Sequence, residues 1–247
     1  MSMLRLGLIG RGRLGGAIAD LAANDPRFQL VWTVGRDETA LAAAQAVDVA
    51  IDASQAEAVA AHVDWAARQG TDLVIGTTGW SLPDLAERVG QRCGVMVAPN
   101  FSLTVALLSR LSLVLGRYAA LSSDGDPYIV EHHHRLKADA PSGTAVRLAH
   151  QVLAGCPRKS EWTLGTARPE QLSVGVVRAG WEMGTHQVGI DWPEEVLEVR
   201  HTARSRRLFA RGALQAAVWL HGRRGVCHFD DLAAAVLDPL FASGGPR

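Results

Sequence analysis

Lysine is nearly absent from this chain. Of 25 basic residues only two, Lys137 and Lys159, are lysines, and the rest are arginine. Cysteine is almost as scarce: Cys93, Cys156 and Cys227 are scattered, odd in number and form no C-x-x-C pair. That usage argues against a disulfide framework or a thiolate metal cluster and reads as buried, reduced thiols. Net charge is missing too, with 25 basic residues against 25 acidic, which argues against a general nucleic-acid or membrane-surface binder. No apolar run reaches the roughly 18 residues that a membrane span needs. The start, Met1-Ser2-Met3-Leu4-Arg5, runs straight into a strand without a visible signal peptide, so a cytoplasmic protein is expected. What the chain does hold is apolar residues: 48% hydrophobic against 20% charged over 247 residues. Such a chain is globular and long enough for one large domain or two small ones.

Residues 4–10 form a short apolar strand, and the turn Gly10-Arg11-Gly12-Arg13-Leu14-Gly15 follows at once. A helix is expected from Leu14 to Ala23, stopped by Asn24-Asp25-Pro26, and a second strand from Phe28 to Val34. A G-x-G-x-x-G pattern between strand and helix is the context in which glycines let a pyrophosphate reach the helix's first N–H groups. The alternation continues with a helix over 38–46, a strand over 47–51 and a helix over 55–69. A strand over 72–76, a helix over 82–89 capped by Ser81 and a strand over 95–97 complete the series. Five apolar strands alternating with helices predict a doubly wound parallel sheet of Rossmann type, whose ligands bind past the carboxyl ends of the strands. Three turns fall at such ends: Gly10–Gly15, Gly76-Thr77-Thr78-Gly79 and Ala98-Pro99-Asn100-Phe101-Ser102.

After Ser102 a long apolar helix (103–118) begins, residues 155–169 read as loop, and strands follow over 171–178, 185–191 and 195–201. Consecutive strands without helices between them predict a mixed or antiparallel sheet, hence a second, smaller α+β domain. A helix over 208–220 and a frayed tail, Ser243-Gly244-Gly245-Pro246-Arg247, close the chain.

The stretch Glu131-His132-His133-His134-Arg135-Leu136-Lys137-Ala138-Asp139-Ala140-Pro141-Ser142-Gly143-Thr144 links the strand Tyr128-Ile129-Val130 to a helix over 144–153. The Pro-Ser-Gly-Thr turn leaves backbone N–H groups at a positive helix end, which suits an anion. An ammonium gives up its proton under modest desolvation and a guanidinium does not, so a lysine four residues after His133 in a lysine-poor chain hints at proton chemistry. On an extended strand His132 and His134 share one face and His133 the other. Adjacent side chains point apart, and no cysteine or carboxylate stands at ligand spacing, so no metal is expected. Glu131 either orients a neighbouring histidine or pairs with an arginine.

The pattern Glu-x-His-His-x-x-Lys-x-Asp-Ala-Pro-Ser-Gly-Thr resembles the signature of the dihydrodipicolinate reductase family. Segments in family order support it along nearly the whole chain: Gly76–Gly79, Ala98–Ser102, Arg178-Ala179-Gly180, Gly184-Thr185-His186, and His201-Thr202-Ala203 through Phe209–Ala213. The resemblance implies nicotinamide-dependent reduction of a cyclic unsaturated dicarboxylate in the diaminopimelate route to lysine. It implies that His133 is the acid/base histidine and Lys137 the proton-donating lysine. It implies that His134, Ser142, Gly143 and Thr144 hold the substrate carboxylates, with Arg206 an arginine near that pocket; by charge, Lys137 and Arg206 are expected as further anchors for the two carboxylates. Gly10, Arg11, Gly12, Arg13, Leu14, Gly76, Thr77, Thr78, Ala98, Pro99, Asn100 and Phe101 match dinucleotide contacts. A homotetramer built through the second domain is implied, as is a C-terminal helix packing back on the first. The domain division then runs 1–102 with 206–247, and 103–205.

The chain departs from the family at three places. Its glycine turn is one residue shorter than in many members, and Ser102-Leu103-Thr104-Val105 lacks the glycine often found there. Gly35-Arg36 stands where many members carry an acid for the ribose 2′-hydroxyl. An acid repels a 2′-phosphate and arginine attracts it, so with Arg11 and Arg13 the expectation is NADPH over NADH; the competing reading has Asp37 or Glu38 bend back to the ribose. Two other functions stay open on the residues alone: another two-domain dehydrogenase acting on an amino or keto acid, and a dinucleotide-binding sensor without turnover.

Overall fold

The computed structural model describes residues 3–35, 41 and 43–242. Of the expected helix over 38–46, residues 38–40 and 42 lie outside them, Leu41 is helical, and 43–46 form a turn and irregular chain instead of helix; the tail from Ser243 lies outside them. By internal contacts the chain divides into two compact units, Met1–Ser102 with Arg206–Arg247, and Leu103–Ser205.

The first unit lays down β1 (Leu4–Ile9), α1 (Arg13–Ala22), β2 (Phe28–Val34), β3 (Val49–Asp52), α2 (Val59–Gln69), β4 (Asp72–Ile75), α3 (Leu85–Val89) and β5 (Gly94–Val97). The second contributes α4 (Leu103–Ala119), β6 (Asp126–His133), α5 (Gly143–Gly155), β7 (Glu161–Leu164), β8 (Gln171–Arg178), β9 (Thr185–Asp191) and β10 (Val196–Thr202). The chain then returns to the first with α6 (Arg207–Leu220), β11 (Gly225–His228) and α7 (Phe229–Leu237).

The first sheet is parallel throughout, in the order β11-β5-β4-β3-β1-β2. Its central strands β3 and β4 are buried at every residue, as apolar runs covered by helices on both faces must be. The sixth strand, β11, is absent from the sequence reading. It is four half-exposed residues with no periodicity of their own, and pairing with β5 is what makes them a strand. Asp72 ties the returning chain down: its buried carboxylate accepts Gly94 N–H at 2.8 Å and Gly222 N–H at 2.9 Å. Gly212 on α6 allows a close approach, since a Cβ there would stand 1.8 Å from the Phe101 carbonyl oxygen.

Two local expectations need correction. The helix expected from Leu82 starts at Leu85, and its N-cap is Asp84 rather than Ser81, with no side-chain cap bond. The Asp84 carboxylate is engaged instead by Arg88 Nε at 2.8 Å. Residues 155–169 are not all loop, because β7 lies among them and pairs in parallel with β8.

The second sheet runs β10-β9-β6-β8-β7. It is mixed, antiparallel at β6–β9 and β9–β10 and parallel at β6–β8 and β7–β8. Leu108, Leu148, Val152, Ile129, Leu172 and Ile190 share one buried cluster, so α4 and α5 pack on one face of the sheet. A Rossmann-like parallel sheet with a smaller mixed-sheet unit is the fold class that the sequence predicts. Among the described residues, no helix is long and apolar enough to cross a membrane.

Candidate active site

In the first unit the chain turns from β1 into α1 at Gly10, whose φ of +107° is a left-handed conformation. A Cβ at Gly10 would also stand 2.3 Å from the Ala53 carbonyl oxygen, so glycine is required on both counts. The N-cap of α1 is Gly12, with no side-chain cap bond and no acid in the first turn. Its first N–H groups therefore face outward at the positive end of the helix, as a pyrophosphate requires. A cavity of about 400 Å³ opens beside this turn, lined by Gly10, Arg11, Gly12, Gly35, Ser54 and His62 among others. Arg11 crosses to β2, where its Nη2 donates to the Thr33 carbonyl at 2.7 Å. These residues fit a dinucleotide. Arg36, the other residue singled out for the 2′-phosphate, lies outside the described residues.

The remaining dinucleotide candidates divide. Arg13 and Leu14 open α1 but are not among the cavity-lining residues. Thr77 Oγ1 donates to Asp52 at 2.8 Å and accepts from Ser54 N–H at 2.9 Å, while Thr78 is exposed. Gly76 packs under the Phe101 ring, where a Cβ would lie 2.4 Å from it. Ala98 and Phe101 are buried, and Phe101 meets Phe229 edge-on at 5.9 Å, so these two serve packing. Pro99 is exposed, and Asn100 Oδ1 accepts Ser102 N–H at 2.8 Å. Sequence reasoning passed over the polar centre of this region, Asp52. It is fully buried and accepts from Ser54 N–H, Ser54 Oγ and His62 Nδ1 at 2.9, 2.5 and 2.7 Å, as well as from Thr77.

In the second unit β6 runs through His133, past Val130 where the sequence reading ended it, and alternate residues face inward. Glu131 and His133 therefore share the buried face, and His134 lies beyond the strand. Glu131 is 0% exposed. One of its oxygens accepts Ser142 N–H at 2.9 Å and Arg178 Nη2 at 2.7 Å. The other accepts Ser142 Oγ–H and lies 3.4 Å from His133 Nδ1 and 3.5 Å from His186 Nε2. So Glu131 does both things considered for it, pairing with an arginine and facing histidines. Burial alone would raise its pKa, yet hydrogen bonds from His186, Ser142 and Arg178 hold it well below the usual carboxylate range. Burial, then the neighbouring charge of His186, lowers His133 from 6.5 to about 4.

Glu131, His133 and His186 have donor atoms within 4.8 Å of one another, a grouping that could hold a metal ion. The carboxylate comes from two residues up the same strand face and the second histidine from β9, a relation that spacing along the chain does not reveal. Ser142 and Arg178 already occupy the carboxylate, while the Nδ1 atoms of His133 and His186 are buried without a hydrogen-bond partner. His186 and Arg178 have no role in the sequence reading, although both sit in segments quoted for the family resemblance.

Ser142 is the N-cap of α5, its Oγ accepting Ala145 N–H at 3.2 Å. Gly143 and Thr144 are left as the first-turn N–H groups at the positive end. Lys137, a quarter exposed, donates to Asp139 at 2.6 Å and holds that carboxyl below its ordinary range. His134 N–H is fixed on the Glu182 carbonyl at 2.7 Å. Arg206, half-buried at the N-cap of α6, belongs to the first unit.

A glycine turn that can only be glycine, opening on a cavity at the strand ends of a parallel sheet, makes the chain a dinucleotide-binding protein of Rossmann type. Family models narrow the class: one described as "Dihydrodipicolinate reductase, N-terminus" matches residues 4–101, and one described as "Dihydrodipicolinate reductase, C-terminus" matches 104–232. The chain belongs to the dihydrodipicolinate reductase family. It is 34% identical over 250 residues to a 4-hydroxy-tetrahydrodipicolinate reductase of Caldanaerobacter subterraneus, covering 93% of this chain and 98% of that one. A protein of the same name from Thermomicrobium roseum is 39% identical over 249 residues, covering 90% and 95%. Among solved structures, a dipicolinate-bound dihydrodipicolinate reductase from Paenisporosarcina sp. TG-14 matches with a TM-score of 0.75 at 20% identity, over 92% of this chain and 98% of that one. At that identity the likeness is one of fold.

Proposed function

We propose that this chain reduces 4-hydroxy-tetrahydrodipicolinate with a proton from Lys137 and with NADPH preferred over NADH. The reaction is the NAD(P)H-dependent formation of tetrahydrodipicolinate, in the diaminopimelate route to lysine. The 4-hydroxyl leaves as water with a hydrogen from the adjacent ring carbon, which gives the unsaturated ring; when bound, the nicotinamide nucleotide supplies a hydride to a carbon of that ring. The chain's own part is to grip two carboxylates, exclude water and deliver one proton.

The observation that carries the reading is the buried Glu131 carboxylate, which bonds both Ser142 N–H and Arg178. By those bonds it fixes the end of β6 to the start of α5. The helix start then offers the Gly143 and Thr144 N–H groups to one substrate carboxylate, with His134, Lys137 and Arg206 as further partners. A helix terminus contributes about 0.3–1 kcal/mol to such a contact when exposed and up to about 2 when partly buried. His133, lowered to about 4, is neutral near pH 7 and holds no spare proton there. We therefore assign the proton to the Lys137 ammonium, which leaves Asp139 for the substrate and, being a quarter exposed, is reprotonated from solvent. His133 stands as the hydrogen-bonding partner that completes the acid/base pair.

The test is NADPH consumption with substrate made in situ from pyruvate and aspartate semialdehyde. Turnover is expected for the intact chain. Lys137→Ala should lower kcat by about 10²–10⁴-fold, the usual worth of a general acid, and raise KM as well. An unchanged kcat/KM would remove Lys137 from the mechanism. For the nucleotide, Arg11 at the end of β2 is the support: Arg11→Ala should cut kcat/KM for NADPH about tenfold and leave NADH nearly unaffected, as loss of a charge-assisted hydrogen bond does. A wild-type preference for NADH would overturn the assignment. The second unit is also proposed to assemble a homotetramer, in line with exposed Val177, Val196 and Leu197 on its sheet. Light scattering of the purified protein tests that.

A further inference from the structure

The dinucleotide cavity holds a polar group for which neither the hydride nor the proton step has a use. His62, on the first turn of α2, is 4% exposed and lines the cavity. Its Nδ1 is tied to the fully buried Asp52 carboxylate at 2.7 Å. That carboxylate cannot swing away, because Ser54 N–H, Ser54 Oγ–H and Thr77 Oγ1–H hold it as well. A carboxylate on one ring nitrogen sets the tautomer: in the neutral ring Nδ1 carries the proton and Nε2 presents a bare lone pair. Placing a fixed, nearly buried acceptor on a cavity wall without a donor to meet it is unfavourable, so the arrangement points to a ligand that donates.

We propose that His62 recognises the adenine of the nucleotide by accepting a hydrogen bond from its exocyclic amine, an inference that rests on the nicotinamide-nucleotide reading above. Phosphates offer no donor, and their place is the helix start at Gly10–Gly12. The ribose hydroxyls are the business of the end of the second strand, here Val34 and Gly35. Of the donors on the adenosine half, the amine remains. The cavity suits a flat base, because Val34, Leu41 and Ala58, all buried apolar residues, form part of its wall. Gln55 also lines it, but from an exposed loop position where ordering a free side chain costs rotamer entropy. Asp52 and Thr77 are then positioning residues, which act on the nucleotide through the ring that they hold, and Ser54 supports them while also lining the cavity.

The experiment measures binding of NADPH and of its hypoxanthine analogue, in which a carbonyl oxygen replaces the adenine amine, to the full-length protein by calorimetry. Wild type, His62→Phe and His62→Gln are compared. Loss of one neutral hydrogen bond should weaken wild-type binding of the analogue about five- to tenfold. His62→Phe should weaken NADPH by a similar factor and show no further loss with the analogue. His62→Gln, which keeps an acceptor, should recover part of the discrimination. A merely structural role for His62 would lower affinity for both nucleotides alike. Equal wild-type affinity for the two nucleotides would overturn the proposal even where a variant fails to fold, and so would discrimination that survives in His62→Phe. If wild type binds neither nucleotide, the cofactor reading itself falls, an outcome plainly different from binding both equally.

Discussion

His133 and Glu131 stand two residues apart on one strand face, and burial acts on them in opposite ways. The carboxylate keeps its charge because Ser142 and Arg178 compensate it, whereas the imidazole, whose buried Nδ1 has no hydrogen-bond partner, is kept neutral. Stability should follow. Unfolded, a histidine binds its proton near pH 6.5; in the fold His133 waits until about 4. Between those values the unfolded chain carries the extra proton, so stability falls as pH falls, by on the order of 3 kcal/mol for this group across the window. Glu131 adds to this only at the low end of the window, from about its ordinary value of 4.5 downward. Its lowered pKa means that its share is complete above the ordinary carboxylate range and is lost only below it. Urea denaturation of wild type and His133→Gln at pH 7, 5.5 and 4.5 should show a steeper decline in wild type. Parallel declines would mean that His133 titrates normally in the fold.

At the scale of elements the two lysines part company. Lys137 sits on the turn between β6 and α5, partly in solvent, with one acidic partner. Lys159 is 3% exposed at the entry to β7, and its ammonium donates to the Pro169 and Gln171 carbonyls at 2.8 and 3.0 Å with Asp126 at 2.5 Å. Three donors with three acceptors hold the segment before β7 against the segment entering β8. Lys159→Met would leave two carbonyls unmet at a cost of roughly 1–3 kcal/mol each where they are buried. Thermal unfolding should therefore show a drop of several degrees for Lys159→Met and almost none for Lys137→Met, while turnover should show the reverse. Similar losses of stability in both variants would refute this division of roles.

On the scale of the whole molecule, the parallel sheet closes only when the chain comes back after more than a hundred residues. Asp72, at the start of β4, accepts from Gly94 at the start of β5 and from Gly222 ahead of β11, and Arg224 lies 3.3 Å away. One carboxylate thus staples the inserted strand to its neighbours. Asp72→Ala would strand two backbone N–H groups, at about 1–3 kcal/mol for each that stays buried. The sixth strand should loosen first: hydrogen exchange should quicken across Gly225–His228 before it changes in β1 and β3. Uniform exchange throughout the sheet would show that Asp72 is no special tie.

Periodicity and glycine placement were enough to specify five of the six strands of the first unit's sheet, because buried central strands read as apolar runs and Gly10 tolerates no substitute. Composition and the His-His-x-x-Lys stretch singled out His133, Lys137 and the Ser142-Gly143-Thr144 helix start as candidates for the site proposed above. Tertiary structure alone decided the rest. β7 and β11 are short and partly exposed, so pairing rather than pattern makes them strands. Asp52 with His62, and Glu131 with Arg178 and His186, meet across 10, 47 and 55 positions of sequence. Which buried charge finds which partner depends on how strands lie side by side, and hydrophobic periodicity carries no information about that.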